Sequence, residues 1–333
     1  MKIAFFEMEK WENKYVKDKL KRHKLSFFDE PLELENVRKA KDCEGICVFV
    51  NSKINETILD NLPKVKFICA MSTGFDHIDL DECKSRGIKV YNVPDYAEHT
   101  VAEHTFALIL SLSRRICESW NAFKRGDFDL DELKGFDLDG KTLGIVGVGS
   151  IGEHVIKMAK SFEMNVIAYD IFKNNKLAKK LKFKYVNFDS LLKNSDIVSL
   201  HCPLTDDNEY MINSKAINKM KKGAILINTA RGKLVNTVDM VKAVKDGKLA
   251  GVGLDVLENE EEIKEDPEVL FKKSMKKSKV AQLESSLLKL DNVILTPHNA
   301  FNSQESLYRL LDTTVENVNS FLKKRNKNNV RLN

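Results

Sequence analysis

The chain has 333 residues, of which 43% are hydrophobic and 31% charged, with a formal net charge of +5. This length favours two domains, because a single hydrophobic core rarely grows beyond roughly 250–300 residues. The basic residues form short separate clusters without interleaved aromatic side chains, which argues against a nucleic-acid surface. No apolar run reaches the length of a membrane span, and the start of the chain is not typical of a signal peptide. The six cysteines lack zinc-like spacing, so we expect reduced thiols, no metal site and a cytoplasmic location.

Short apolar runs alternate with helical patterns along the chain, which predicts an α/β fold with parallel sheets covered by helices. The first part carries five candidate strands: Ile3–Phe6, Leu25–Phe28, Gly45–Phe49, Phe67–Ala70 and Val90–Asn92. Helical patterns lie between them at Trp11–Lys21, Ile54–Leu62 and Asp81–Arg86.

A mostly apolar stretch, Val101–Phe123, has helical periodicity and contains neither Gly nor Pro, so it predicts one long helix. After a polar loop, Gly126–Gly140, the alternation resumes and predicts a second α/β unit. Its candidate strands are Thr142–Val148, Asn165–Tyr169, Lys184–Val186, Asp196–Leu200, Ala224–Asn228, Leu249–Leu254 and Val293–Leu295. Acidic and basic runs interrupt this rhythm over residues 260–291, which indicates an inserted, partly helical surface segment. A lid, an oligomer contact and a tolerated insertion are the alternatives for its role.

A glycine motif follows the first strand of the second unit and opens a helical pattern. It reads Gly147-Val148-Gly149-Ser150-Ile151-Gly152 and has the GxGxxG spacing of dinucleotide-binding turns. The N-terminus of the following helix offers free N–H groups and a partial positive charge to a pyrophosphate. Asp170 ends the next strand, 18 residues after Gly152, where a carboxylate binds the adenosine ribose and repels a 2′-phosphate. Because no Arg follows Asp170, the sequence favours NAD over NADP.

Three polar residues lie just beyond strand ends of the second unit, where open α/β sheets place ligand sites. Arg231 follows the strand Ala224–Ile227, Glu260 follows the next strand, and His298 follows the last one. A guanidinium can hold a carboxylate and polarise a carbonyl, and an imidazole beside a carboxylate can transfer a proton. Such groups suit hydride transfer between NAD and a small 2-keto or 2-hydroxy acid.

Several segments, in matching order, resemble the D-isomer-specific 2-hydroxyacid dehydrogenases, and the resemblance is closest to the D-lactate dehydrogenase-like branch. These segments are Ser72–Asp79, Val93–His104, the glycine motif, His201–Thr205, Thr229–Gly232, Gly253–Glu260 and Thr296–Phe301. The resemblance implies two Rossmann-like domains, a flavodoxin-like substrate domain and a dinucleotide-binding Rossmann domain, with a cleft between them. It also implies a discontinuous substrate domain, residues 1–98 plus 299–333, around an NAD-binding domain of residues 99–298.

The same resemblance implies roles for individual residues. His298 matches the general acid/base, Glu260 its carboxylate partner, and Arg231 the residue that binds and polarises the substrate. Asp255 matches the residue that contacts the nicotinamide. The family spacing after Asp255 selects Glu260 as the carboxylate partner over Glu258, Glu261 and Glu262. The expected substrate contacts are Thr73, Gly74, Tyr96, Arg231 and Phe301. The expected cofactor contacts are Gly147, Gly149, Ser150, Ile151, Gly152, Asp170, His201, Cys202, Pro203, Thr229, Ala230, Arg231 and Asp255.

The implied activity is NADH-dependent reduction of a 2-keto acid, with pyruvate to D-lactate as the first choice, by a homodimer. Glyoxylate, phosphoglycerate or a bulkier keto acid are alternative substrates on the same fold. A different class of protein, an NADH-sensing co-repressor, also resembles these dehydrogenases. Its long disordered flanks are not matched by the short termini here, and it would bind NADH without oxidising it.

Overall fold

The computed structural model describes residues 1–260 and 279–331. The chain forms two compact units, one of Met1–Ala97 with Asn302–Asn333 and one of Glu98–Phe301. Compared with the predicted boundaries, Glu98 and residues 299–301 lie in the second unit rather than the first. Glu98 begins a helix of that unit, and the backbone N–H groups of Asn299 and Ala300 are bound by Asp255, which also belongs to it.

The first unit is built on a five-stranded parallel sheet with the order β2-β1-β3-β4-β5. This order is that of flavodoxin-like folds. The strands are β1 (Lys2–Phe5), β2 (Lys24–Phe27), β3 (Gly45–Val48), β4 (Phe67–Ala70) and β5 (Lys89–Tyr91). The α-helices are Lys10–Lys19, Glu56–Asp60, Leu80–Ser85 and Gln304–Leu322, and a short 3-10 helix spans Val37–Ala40.

The second unit contains a seven-stranded parallel sheet with the order β12-β11-β10-β9-β6-β7-β8. The strands are β6 (Thr142–Val146), β7 (Asn165–Tyr169), β8 (Lys184–Tyr185), β9 (Ile197–Leu200), β10 (Ala224–Asn228), β11 (Leu249–Leu254) and β12 (Val293–Leu295). The order runs outward from β6 in both directions, so the switch point of a Rossmann fold lies between β6 and β9. Ligands of open α/β sheets bind beside this point, at the carboxyl ends of the strands.

Helices cover both faces of this second sheet, and two apolar clusters pack between the helices and the strands. The α-helices are Glu98–Ser113, Ile116–Lys124, Ser150–Ser161, Asn175–Leu181, Phe188–Asn194, Ser214–Lys219, Thr237–Lys245 and Lys279–Leu287. Short 3-10 helices span Asp131–Leu133, Asp206–Asn208 and Gly232–Leu234. In the described part of the chain, no helix combines the length and apolar character that a membrane crossing requires.

The predicted single helix over Val101–Phe123 is wrong, because the structure breaks it into Glu98–Ser113 and Ile116–Lys124. Arg115 adopts a left-handed conformation with φ 51°, which ends the regular helical path. The carbonyl of Ser113 accepts a hydrogen bond from the Phe136 N–H at 2.8 Å instead of continuing the helix. This approach requires a glycine before Phe136, since a Cβ on Gly135 would lie 2.2 Å from that carbonyl oxygen.

The predicted insertion, residues 260–291, falls largely outside the described residues, because 261–278 are not described. Its last part forms the helix Lys279–Leu287, which packs against Thr237–Lys245 and buries Leu287 in the core of the second unit. This described part is therefore packed structure rather than a surface excursion.

Replacing Gly135 with Ala tests the helix break. The added methyl would collide with the Ser113 carbonyl oxygen, so we expect the second unit to lose about 1–3 kcal/mol of stability, as in overpacked sites. The measurement is the midpoint of thermal unfolding. The exposed neighbour Lys134 provides the control, Lys134→Ala, for which we expect little change. Equal midpoints for the two variants would contradict the close approach.

Candidate active site

The glycine turn lies at the switch point of the second sheet. Gly147 has φ 94°, and a Cβ at this position would lie 2.7 Å from the Cys202 backbone nitrogen. A Cβ on Gly152 would lie 2.3 Å from the carbonyl oxygen of Gly147, so the helix packs closely against the turn. A Cβ on Gly149, by contrast, would have no other atom within 4 Å. Gly149 precedes the helix Ser150–Ser161, and no side chain caps the start of that helix. Backbone N–H groups at this helix end are therefore available to a phosphate.

Asp170 lies at the end of β7 and holds the glycine turn. Its Oδ2 accepts a hydrogen bond from the Val148 N–H at 2.6 Å, and its Oδ1 accepts one from the Phe172 N–H at 2.8 Å. The side chain is only half-buried, and each carboxylate oxygen has a second lone pair for a ribose hydroxyl. The open turn, the uncapped helix end and this carboxylate together fit a bound NAD.

The segment after β9 contributes backbone rather than acid–base groups to this site. The His201 Nε2 lies 2.8 Å from the Ser199 hydroxyl, and burial lowers the pKa of His201 to about 3, so its imidazole is neutral. Burial raises the pKa of Cys202 to about 11, so its thiol is protonated as well. Pro203 follows as an exposed residue. The His201–Cys202 backbone lies against Gly147 and so forms one wall of the turn.

The buried carboxylate of Asp255, at the end of β11, organises the loop after β12. Its Oδ1 accepts hydrogen bonds from the Thr296 hydroxyl at 2.5 Å and the Asn299 N–H at 3.0 Å, while Oδ2 accepts from the Ala300 N–H at 2.9 Å. The His104 Nε2 lies 3.0 Å from the same Thr296 hydroxyl. The family resemblance implied for Asp255 only a contact to the nicotinamide, and nothing in the sequence pattern indicated that it also holds this loop.

His298 lies at the centre of that loop, between Thr296 and Asn299. Its backbone is left-handed, with φ 51°, a conformation that is uncommon for a non-glycine residue. Its Nδ1 lies 2.9 Å from Glu260 Oε2, and Glu260 Oε1 accepts the Leu257 N–H at 3.1 Å. With Nδ1 paired to the carboxylate, Nε2 is the nitrogen that can face a substrate.

Arg231 lies in the segment after β10. The neighbouring strand, β11, leads to Glu260. Its backbone carbonyl accepts the Asn228 Nδ2–H at 2.8 Å, and its Nη1 donates to the Ala230 carbonyl at 2.8 Å. A Cβ on Gly232 would lie 1.9 Å from the Leu257 carbonyl oxygen, so this segment packs directly against the turn that leads to Glu260. Thr229 is buried, with its hydroxyl 3.1 Å from that of Thr105.

Glu258, an alternative to Glu260 in the sequence, has a different function. Its Oε1 accepts the Tyr210 hydroxyl at 2.6 Å, and its Oε2 accepts the Thr237 N–H at 3.1 Å. The hydrogen bond to Glu258 is the main reason why the pKa of Tyr210 rises to about 12. Sequence reasoning did not identify Tyr210, because no spacing rule connects it to Glu258. The remaining alternatives, Glu261 and Glu262, lie outside the described residues.

The expected substrate contacts divide between the two units. Phe301 ends the second unit and is half-buried. In the first unit, Thr73 and Gly74 follow β4, and the Thr73 hydroxyl donates to the carbonyls of Val93 and Pro94 at 3.0 and 3.2 Å. Tyr96 follows β5, is buried, and its carbonyl accepts the Arg309 Nε–H at 2.6 Å.

Within the second unit, the structure brings His298 and Glu260 into direct contact and packs the Arg231 segment against the turn beside them. The described residues include no group of three or more His, Cys, Asp or Glu side chains arranged to hold a metal ion. The polar side chains described above are a guanidinium, a carboxylate and an imidazole, in the unit that carries the glycine turn. Such a set can protonate a carbonyl oxygen while a hydride reaches the carbon.

The chain is similar to known proteins over most of its length. Residues 106–300 match the family model described as "D-isomer specific 2-hydroxyacid dehydrogenase, NAD binding domain". The D-lactate dehydrogenase of Escherichia coli is 33% identical over 327 residues, covering 97% of each chain. A glyoxylate reductase of Korarchaeum cryptofilum is 36% identical over 289 residues, covering 86% of this chain and 81% of the reductase. The crystal structure of the Aquifex aeolicus D-lactate dehydrogenase complexed with NAD and lactic acid is 38% identical, with a TM-score of 0.86 and 98% of each chain covered.

Replacing Asp170 with Ala tests the ribose assignment. Removing the carboxylate takes away a charge-assisted acceptor and the repulsion of a 2′-phosphate, so the ratio of kcat/KM for NADH over NADPH should fall by about tenfold or more. The measurement is the rate of cofactor oxidation at saturating keto acid. Asp246→Ala, at an exposed aspartate of the same unit, serves as the control and should keep the wild-type ratio. An unchanged ratio for Asp170→Ala would break the assignment.

Proposed function

The chain belongs to the D-isomer specific 2-hydroxyacid dehydrogenase family, in its D-lactate dehydrogenase-like branch, and we propose that it reduces pyruvate to D-lactate with His298 as the general acid. The observation that carries this proposal is the 2.9 Å contact between His298 Nδ1 and Glu260 Oε2 at the strand ends of an NAD-binding unit. The protein is thus an NAD-dependent oxidoreductase acting on the CH–OH group of D-2-hydroxy acids.

Bound NADH supplies the hydride for this reduction. The Nε2 of His298 donates a proton to the carbonyl oxygen of the keto acid as the hydride reaches the carbonyl carbon, so the C=O bond becomes CH–OH. Glu260 holds the imidazole ring in place through its contact with Nδ1. In the reverse direction the same nitrogen takes the hydroxyl proton.

Arg231 is the proposed anchor for the substrate. Its planar guanidinium can bind the carboxylate in two places and polarise the neighbouring carbonyl, which a lysine cannot reproduce. We propose that Thr73 and Gly74 add backbone N–H donors to the same carboxylate, and that Tyr96 and Phe301 line the pocket. No hydrogen bond within the described part of the chain uses the N–H groups of Thr73 and Gly74, which supports this role.

We propose that the cofactor is held by the glycine turn, with Asp170 on its ribose and Asp255 near the nicotinamide carboxamide. The remaining contacts of this proposal are Gly147, Gly149, Ser150, Ile151, Gly152, His201, Cys202, Pro203, Thr229 and Ala230. The neutral His201 and Cys202 suit this position, because neither introduces a charge beside the cofactor.

Glyoxylate is the second candidate substrate, because a glyoxylate reductase is 36% identical to this chain over 86% of its length. Pyruvate is preferred, because the similar enzymes that cover nearly the whole chain include D-lactate dehydrogenases. A panel of keto acids of graded size, followed by NADH absorbance and product chirality, distinguishes the two. Higher kcat/KM with glyoxylate than with pyruvate would overturn the preference, and NADH binding without turnover would support the sensing alternative.

Replacing His298 with Ala should lower kcat by about 100-fold or more, because general acid catalysis is lost, while the Kd for NADH stays near wild type. Single-turnover rates and NADH fluorescence titration measure the two quantities. The matched control is His23→Ala in the first unit, at a histidine that the proposal does not use. Turnover that survives in His298→Ala would remove the imidazole from the mechanism.

We also propose that the protein is a cytoplasmic homodimer. All six cysteines are free thiols in the structure, which suits the reducing environment of the cytoplasm.

The proposed dimer contact is an exposed apolar patch of the second unit. Five large apolar side chains are exposed on the helix Ile116–Lys124 and the loop after it: Ile116, Trp120, Phe123, Phe128 and Leu130. The rings of Trp120, Phe123 and Phe128 lie next to one another, with centroids 6.4 and 5.7 Å apart. An apolar patch of this kind marks a protein contact, and a second copy of this chain is the proposed partner.

Replacing Trp120 with Glu places a charge in the centre of this patch. We expect the variant to elute at the monomer mass of 38.0 kDa, while the wild type elutes at twice that mass, in size-exclusion chromatography with light scattering. Leu34→Glu, at an exposed apolar residue of the first unit, should leave the mass unchanged. A monomeric wild type would contradict the proposal.

A further inference from the structure

One buried carboxyl group of the second unit has no part in the mechanism above. Glu284 lies on the helix Lys279–Leu287 and is 0% exposed. Its Oε1 accepts a hydrogen bond from the Asn259 N–H at 3.3 Å. Its Oε2 is buried and has no hydrogen-bond partner among the described residues. Burying a carboxyl group in this way costs free energy, so its position needs an explanation.

Glu284 contacts the turn that carries Glu260. On one side of Asn259, the Glu258 carboxylate is bound by the Tyr210 hydroxyl. On the other side, the Glu260 carboxylate is bound to His298. The bond from Glu284 to the Asn259 N–H is therefore a backbone anchor between these two side-chain contacts.

The surroundings of Glu284 favour its neutral form. Burial is the largest cause and raises the pKa; hydrogen bonding to the backbone, chiefly to the Asn259 N–H, opposes it, and the nearby carboxylates of Glu258 and Glu260 raise the pKa further, so that the pKa of Glu284 is about 7. The neighbouring helix Thr237–Lys245 brings no cation into this environment, because Lys242 and Lys245 are exposed. A neutral carboxylic acid can keep its acceptor on Asn259 without adding a third negative charge beside the two carboxylates.

We propose that Glu284 is a positioning residue, whose carboxyl group holds the turn at Asn259 and thereby keeps Glu260 aligned with His298. This inference rests on the proposed catalytic role of His298 and adds a residue that does not touch the substrate or the cofactor. Small displacements of such supporting groups reduce the rate of the chemical step far more than they affect ligand binding.

The test compares two replacements of Glu284 that differ in the acceptor they keep. Glu284→Met has a similar size but no acceptor for the Asn259 N–H, so kcat for keto-acid reduction should fall by about tenfold, with the NADH Kd unchanged. Glu284→Gln keeps a neutral acceptor, so kcat at pH 6 should return to near the wild-type value. Glu305→Met makes the same change at an exposed residue and should leave kcat unchanged. Wild-type kcat in Glu284→Met, or equal loss in Glu284→Gln, would overturn the proposal.

A second measurement tests whether the carboxyl group is neutral. Because the pKa in the folded protein, about 7, lies above the ordinary value of 4.5, the proton contributes stability that is lost as pH rises through 7. The unfolding midpoint of the wild type should therefore fall relative to Glu284→Gln between pH 5 and pH 8. A constant difference over this range would show that Glu284 is not buried as a neutral acid.

Two further comparisons keep the result interpretable. If Glu284→Met does not fold, Glu284→Asp replaces it, because the shorter side chain withdraws the acceptor from Asn259 and should cause the same loss of kcat. His298→Ala separates this proposal from the mechanism on which it rests. Turnover that survives in His298→Ala would refute the mechanism, whereas an inactive His298→Ala beside a fully active Glu284→Met would refute the positioning role alone.

Discussion

The bonds that Asp255 makes to the loop after β12 are the constraint on which the candidate site depends. A carboxylate with 1% exposure is stable only if its oxygens are bonded, and here one hydroxyl and two backbone N–H groups satisfy them. Those bonds clamp the chain on both sides of His298, at Thr296 and at Asn299. The left-handed backbone of His298 is a strained conformation that this clamp supports, and it directs the imidazole toward Glu260.

Three carboxylates of this unit accept hydrogen bonds from backbone N–H groups that position the site. Asp170 binds the glycine turn, Asp255 binds the His298 loop, and Glu258 binds the start of the helix Thr237–Lys245. Glu260 contacts the ring nitrogen Nδ1 of His298 directly, at 2.9 Å. The site therefore combines a frame of charge-assisted hydrogen bonds with the Glu260–His298 pair, an arrangement that keeps the reacting groups aligned.

The strands were predictable to within one or two residues, because a buried parallel strand appears as a short apolar run between polar turns. The break near Arg115 was not predictable, since it depends on the Phe136 N–H reaching the Ser113 carbonyl and not on any local Gly or Pro. The burial of Glu284 was not predictable for a similar reason, because a Glu in a charged, amphipathic segment is expected to lie at the surface. The roles of Arg231, Glu260 and His298 remain predictions, although the structure supplies the contact between the last two.

Local patterns by themselves determined the parallel α/β architecture, the glycine turn and its acidic partner. Each of these depends on residues close together in the sequence, where the strand period, the turn geometry and the spacing to the next strand restrict the choices. The tertiary structure decided which of the neighbouring glutamates meets His298 and which is used by Tyr210. It also decided that Glu284 is buried. These outcomes depend on contacts between residues distant in the chain, where packing and the cost of burying charge, not sequence spacing, select the partner.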